Sequence, residues 1–359
     1  MTDPLKPTAA GPPRKVSLQR RLAALLLSLA VACALGEVLV RAQIGSPLVE
    51  GTPLLRVRTH PTRGWEMLAG ERHFTYHHPV EVNDLGLRGS ALPAAKGEEL
   101  RVLALGDSLT YGQGVGDDET LPHYLERALV EGDRQRRSWR VINGGLRGYA
   151  TAQELALLRE LGERIEPDAV ILFWYWNDLV EPPLDRVTAD LARSGPICFD
   201  VGGALEGRAQ LVWRARQLLR RSALVMMLHD AWKAREHSFE GTMGRWTPAK
   251  GLERLAEHLD RFVALGVELG FRPLFAVIPE SASIRGSHPS QAVAARAAEL
   301  AAERGLGVID LDEPLRALTQ GAGAVPIIPF DGHYLPSANR AMAEVVAARL
   351  LADERTGGR

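Results

Sequence analysis

Ser108 stands in Gly106-Asp107-Ser108-Leu109-Thr110, directly after the apolar run Arg101–Leu105. A serine hydroxyl is a weak nucleophile until an adjacent base takes its proton. Far downstream, Asp331-Gly332-His333 offers an imidazole with a carboxylate two residues before it. In an extended segment, residues i and i+2 point the same way. On that basis Asp331 is expected to hold the Nδ1–H of His333 and leave Nε2 facing Ser108. Asn143-Gly144-Gly145-Leu146-Arg147-Gly148 brings glycines, whose backbone N–H groups can approach a ligand closely. Trp176-Asn177-Asp178 adds a side-chain amide. Singly each cluster is weak, because Gly-Asp-Ser is common in turns, Asn-Asp caps helices and Asp-x-His recurs on surfaces. In this order they supply a nucleophile, oxyanion donors and an oriented base. Asp178 is the rival orienting acid. Its alternation with Asn177 turns it away, toward capping the next turn, and Asp310 and Asp312 are less local to His333.

The pattern around these clusters predicts elements that place them at strand ends. Arg101–Leu105, Arg140–Ile142, Asp168–Trp174, Pro273–Ile278 and Gly307–Leu311 read as buried strands. Leu121, Leu125, Ala128 and Leu129 mark a helix, and Thr151-Ala-Gln-Glu154 reads as a capping box ahead of the stripe Leu155, Leu158, Leu161. Further helices are expected over Lys250–Leu269, over Gln291–Glu303 and from about Pro336. Strands alternating with helices imply an α/β fold, a three-layer α/β/α sandwich around a central parallel sheet of about five strands. Residues 45–99, with short runs such as His73–Tyr76 and Val80–Val82, read as a lead-in of loops and short strands to a main domain over 100–352. Residues 179–247 break the rhythm and read as an insertion, helical around Gln210–Leu219 and Ala223–Arg235.

The first 21 residues read as a disordered basic tail. Arg14, Lys15, Arg20 and Arg21 then precede an uncharged stretch, Leu22 to Gly36, that continues past Glu37 to Val40. As a helix, Leu22–Val40 spans roughly 28 Å, near the thickness of a bilayer's hydrocarbon core. Residues 22–41 therefore read as a transmembrane anchor or signal segment, and the cations keep the N-terminus cytoplasmic and send the body across. Cleavage at Ala32-Cys33-Ala34, which would give a secreted body, and lipidation at Cys33 after Ala30-Val31-Ala32 are the alternatives.

The 359 residues carry 43 Lys+Arg against 44 Asp+Glu; beyond residue 21 the balance is 38 against 43. No basic body is available to grip phosphate backbones, so nucleic acid is not an expected partner. Only Cys33 and Cys198 are present, which excludes a disulfide scaffold and a cysteine zinc cluster. His77-His78 lacks a third ligand at useful spacing, and Gly112-Gln-Gly114-Val-Gly116 lacks dinucleotide spacing and reads as a flexible loop beside Ser108. No metal or cofactor is called for. Phe173-Trp174-Tyr175-Trp176 reads as core or as the lining of an acyl or sugar subsite, and Leu224–Leu228 as a buried insertion helix or a lipid-facing lid.

The four clusters resemble the blocks of the SGNH (GDSL) hydrolase family, over about Leu100 to Ala352. The resemblance implies a flavodoxin-like fold and a serine esterase. Ser108, His333 and Asp331 would be its catalytic residues, and Ser108, Gly148 and Asn177 its oxyanion hole. Tyr175-Trp176 replaces the family's usual Gly-x before the asparagine, and Asp331-x-His333 is one residue shorter than the common Asp-x-x-His. That shorter spacing is similar to alginate acetyl-transfer relatives. Asn83-Asp84-Leu85-Gly86-Leu87-Arg88-Gly89 resembles membrane-anchored bacterial members. The expected substrate is a small-molecule, glycan or lipid ester, met outside the cytoplasmic membrane. An O-acetyltransferase or deacetylase acting on an exported glycan is the alternative, and a non-catalytic carbohydrate-binding module the third reading.

Overall fold

The computed structural model describes residues 17–49, 51, 56–93, 95–181, 207–237 and 248–355. Helix α1 (Leu18–Gln43) is continuous through Ala30–Ala34 and is long and apolar enough to cross a membrane. It begins inside the stretch expected to be tail, because Ser17 caps it and Arg20 and Arg21 are good helix formers. Residues 1–16 lie outside the described set.

Two antiparallel hairpins follow, β1 (Val57–His60) with β2 (Gly64–Met67), and β3 (Arg72–Thr75) with β4 (His78–Glu81). Their inward residues Val57, Trp65, Met67 and Val80 belong to the same core cluster as the central sheet. The lead-in is thus a packed layer of the body. His73 is buried and meets the Tyr111 hydroxyl at 2.8 Å. Burial, with the charges of Arg88, Arg147 and Arg56, pulls its imidazole down to about 3.

The repeating part runs β5 (Leu100–Gly106), α2 (Ser108–Tyr111), α3 (Leu121–Gly132), β6 (Trp139–Gly145), α4 (Thr151–Ile165) and β7 (Ala169–Trp174). Helices α5 (Gly207–Arg220) and α6 (Ala223–His237) fall in the stretch read as an insertion, and α7 (Pro248–Leu269) leads into β8 (Arg272–Val277). Then come α8 (Ser281–Arg285), α9 (Ser290–Ala302), β9 (Gly307–Asp310), α10 (Asp312–Ala322) and α11 (Pro336–Arg355). Helix α10 is an addition to the sequence reading. Its first turn carries Asp312 and Glu313, as the positive end of a helix favours.

All five strands are parallel, in the order β6-β5-β7-β8-β9. Leu103, Leu105, Val170, Leu172 and Phe275 face one core with α4, α7 and α9. Val102, Ala104, Ile171, Phe173 and Ala276 face the other with α3, α10 and α11. Burial on both faces is why these strands read as continuous apolar runs. The chain leaves β5 toward β6 on one side and then crosses to β7 on the other, so the crevice beyond their carboxyl ends is a topological switch point.

The expected capping box shifts by one residue. Ala150 is the N-cap, and the Gln153 side chain accepts its backbone N–H at 3.2 Å. Thr151 and Glu154 are both buried within the first turn. Gln153 wins the cap because its amide also donates to the Arg63 carbonyl at 2.7 Å, tying α4 to the lead-in.

The His73 imidazole makes a pH prediction. Between its folded value of about 3 and the unfolded 6.5, only the unfolded chain binds the proton, so stability falls as pH falls through that window. Relative to His73→Gln, the wild type should lose about 1.4 kcal/mol of unfolding free energy per pH unit between pH 6 and pH 4. Urea titrations of both proteins at several pH values measure this, and parallel curves would contradict it.

Candidate active site

Ser108 is the first residue of α2, at the carboxyl end of β5. Its Oγ lies 2.7 Å from His333 Nε2. On the far side of the ring, Nδ1–H donates to Asp331 Oδ1, which also accepts the His333 backbone N–H at 3.2 Å. The expected convergence of Asp331 and His333 is found, but not by extended geometry. Asp331 and Gly332 both donate backbone N–H groups to the Ile328 carbonyl, closing a turn. Gly332 takes a φ of +89°, which an L side chain rarely adopts, and this folds the carboxylate back onto the imidazole. The one-residue shortening relative to Asp-x-x-His is absorbed in that turn.

The second Asp331 oxygen is also occupied. Oδ2 accepts from the Tyr76 hydroxyl and, at 3.0 Å, from Gln113 Nε2. Burial alone would raise this carboxyl. The charge and hydrogen bonds of His333, with the Tyr76 hydroxyl, outweigh burial and hold it well below the usual carboxylate range. Neither Tyr76 nor Gln113 was singled out from sequence. Gln113 lies in the glycine-rich loop after Ser108, and that loop is tied down. Buried Arg88 donates to the carbonyls of Tyr111, Gly112 and Val115 at 2.7–2.8 Å and to Asp117 Oδ1 at 2.8 Å. The motif holding Arg88 is a built turn, in which Asn83 Oδ1 accepts the N–H groups of Leu85 and Leu87 at 3.0 Å.

Gly148 follows β6 with a φ of +79°, and the Trp65 ring lies 3.4 Å from where a Cβ would be. Asn177 sits in a short 3-10 turn after β7, and its Nδ2 donates to Asp107 Oδ2 at 2.8 Å. Asp107 also accepts the Leu109 N–H at 2.8 Å, so one buried carboxylate both caps α2 and aims the Asn177 amide. Burial raises its carboxyl, although Asn177, Leu109 and the His333 charge pull the other way. Asp178 accepts the Tyr175 N–H at 3.0 Å, so it caps the start of the 3-10 turn in which it sits and not the turn after it. Glu154 is fully buried, and neither of its oxygens has a partner among the described residues. Burial, together with the charge of Asp107, pushes Glu154 well above the ordinary range; Asp178 follows through burial and the charges of Glu154 and Asp107. Burial thus raises three neighbouring carboxyls, Asp107, Glu154 and Asp178.

Phe173 and Trp174 are core. Tyr175 and Trp176 are half-buried at the strand end, and both donate to Glu280, which follows β8. Glu280 was not singled out, since only the β7–β8 pairing brings it beside them. Met226 is buried, whereas Leu228 is exposed, so the stretch Leu224–Leu228 is neither wholly core nor wholly surface. Among the described residues, His60, Glu66 and Glu160 could offer one ligand atom each to a metal. The Arg63 guanidinium already bridges those two glutamates, at 2.7 and 3.1 Å. A cleft of about 380 Å³ opens beside β6, lined by Arg88, Asp117, His123, Glu126 and Arg140, and contains none of the candidate residues.

The family model for GDSL-like lipase/acylhydrolases matches residues 104–341. No curated protein matches the chain significantly. Among solved structures, TesA is 16% identical and covers 70% of this chain and 99% of its own, with a TM-score of 0.42. A lipase/acylhydrolase from Enterococcus faecalis is 17% identical, covering 70% and 96% with a TM-score of 0.39. The acetyl xylan esterase AlAXEase is 14% identical, covering 70% and 100% with a TM-score of 0.40.

Arg88 supports a stability prediction. Arg88→Met leaves three carbonyls of the post-serine loop without their donor and should cost about 3 kcal/mol. Arg88→Lys should recover only part of this, because an ammonium cannot reproduce the fork. Thermal unfolding of the three proteins checks it, and an unchanged midpoint for Arg88→Met would refute the loop assignment.

Proposed function

The chain belongs to the GDSL-like lipase/acylhydrolase family, and we propose that it is a serine esterase working through Ser108, His333 and Asp331. The observation that carries this reading is the unbroken chain of hydrogen bonds from Ser108 Oγ through both nitrogens of His333 to the buried Asp331 carboxylate. In the proposed mechanism the serine hydroxyl donates to Nε2 and loses its proton there as Oγ attacks the ester carbonyl. Asp331 fixes the tautomer and stabilises the imidazolium that forms. The imidazolium then protonates the leaving alcohol, and water repeats the sequence on the acyl-enzyme. The backbone N–H groups of Ser108 and Gly148, with the Asn177 amide, are assigned to the oxyanion. Asn177 commits one N–H to Asp107 and keeps the other for that task. Loss of one such donor costs about 3 kcal/mol in comparable sites.

A glycan ester is the second substrate reading, and one feature favours it. Tyr175, Trp176 and Glu280 form a half-exposed aromatic and acidic wall next to Asn177, suited to a sugar face and its hydroxyls. With a sugar hydroxyl in place of water, the same acyl-enzyme would carry out O-acetyl transfer. We further propose that α1 is retained as a single-pass anchor with the body on the extracytoplasmic side. The helix runs unbroken through the candidate processing sites, and its apolar side chains are exposed.

Ser108→Ala and His333→Ala should each abolish ester turnover and covalent labelling by a fluorophosphonate. The double variant should be no worse than either, because nucleophile and base act as a unit. Asp331→Asn should lower turnover by up to about ten-thousandfold, with Asp178→Asn far milder. Steady-state kinetics on short-chain esters measure all five. Appreciable turnover in Ser108→Ala, or the reverse order of the two aspartates, would sink the assignment.

A further inference from the structure

The insertion helices carry an apolar surface that the esterase reading does not use. Outside α1 and the residues just after it, the exposed large apolar side chains of the described residues are Val130, Val267 and six on α5 and α6. Those six are Leu211, Val212, Leu218, Leu219, Leu228 and Trp232, each more than half exposed. Single exposed apolar residues such as Val267 are ordinary, but a concentration on one hairpin marks an interaction surface. On α5 the four aliphatic positions fall at i, i+1, i+7 and i+8, a stripe roughly 120° wide by helix geometry. By the same geometry exposed Arg214 and Arg216 fall on the two flanks of that stripe. Aliphatic stripe and flanking arginines are the pattern of a helix lying in a headgroup layer.

The position of the hairpin on the molecule selects the occupant. Its turn is clasped to the outer end of α1. Glu37, the single acid in the span, accepts from Ser222 Oγ at 2.6 Å and from the Ala223 and Leu224 N–H groups at 2.9 Å, capping α6. Arg41 bonds Glu37 at 2.6 Å and the Arg221 carbonyl at 2.6 Å. Gly36 lets the two helices close, since a Cβ there would sit 3.3 Å from the Leu224 side chain. Glu37 and Arg41 therefore serve as a socket for the insertion at the level where α1 leaves the bilayer. We propose that α5 and α6 form a second membrane-binding element, lying in the boundary between headgroups and acyl chains of the extracytoplasmic leaflet. This rests on the anchor reading of α1. The catalytic body is then held at the membrane surface by two elements and cannot swing freely on one.

The test uses the full chain, with Cys33→Ser and Cys198→Ser, in nanodiscs of phosphatidylethanolamine and phosphatidylglycerol. Nitroxide labels are placed singly through Leu218→Cys, Leu219→Cys and Leu228→Cys, with Leu27→Cys as the span control and Val267→Cys as the water control. Power saturation compares collisions with oxygen, which enters lipid, and with a water-soluble nickel chelate. The hairpin labels should show an oxygen-to-nickel accessibility ratio on the order of threefold above Val267, as lipid-inserted side chains do. Hairpin labels equal to Val267, with Leu27 in lipid, would overturn the second contact and leave the anchor standing. Labels shielded from both agents would mean that protein covers the stripe, and would overturn it too. Leu27 reading as water would overturn the anchor and this inference together.

Discussion

An ionised carboxylate is held out of water at Asp331, and much of the molecule around the site is arranged to make that tolerable. A buried charge is costly unless its oxygens are filled with good donors. His333 fills one, and Tyr76 and Gln113 fill the other. Those three donors come from the lead-in hairpins, the loop after Ser108 and the turn before α11, so satisfying one charge ties together three distant stretches of chain. The same bonds set the imidazole tautomer, which decides that Nε2 is the nitrogen presented to Ser108. Arg88 acts one step further out, by shaping the loop that carries Gln113.

Behind the serine the electrostatics run in the opposite direction. Asp107, Glu154 and Asp178 are buried near enough for their charges to interact, and burial raises all three. Asp107 nevertheless orders the site, since it caps the turn bearing Ser108 and aims the Asn177 amide. A depressed acid beside the imidazole and raised acids near Ser108 arise in one fold because Asp331 has enough donors to outweigh burial and the other three do not.

The sequence by itself determined the sheet and singled out the candidate residues of the site. Strands buried on both faces must be apolar throughout, so each of the five was readable as a short continuous run with an abrupt polar end. Ser108 and Asn177 stood out because they follow such runs, His333 because a carboxylate stands two residues before it, and Leu22–Val40 because it is a long apolar stretch. Tertiary structure decided what depends on a partner remote in the chain. The turn at Gly332, and not an extended segment, brings Asp331 to His333. Gln153 displaces Glu154 from the helix cap because Arg63, in the lead-in, needs its amide. Glu280 meets Tyr175 and Trp176 only across a strand pairing. Glu37 looked like a flaw in an apolar span until the insertion supplied the N–H groups it caps. Periodicity reports the environment averaged over a segment, whereas a hydrogen bond is settled by which two atoms arrive within about 3 Å, and only the folded chain specifies that.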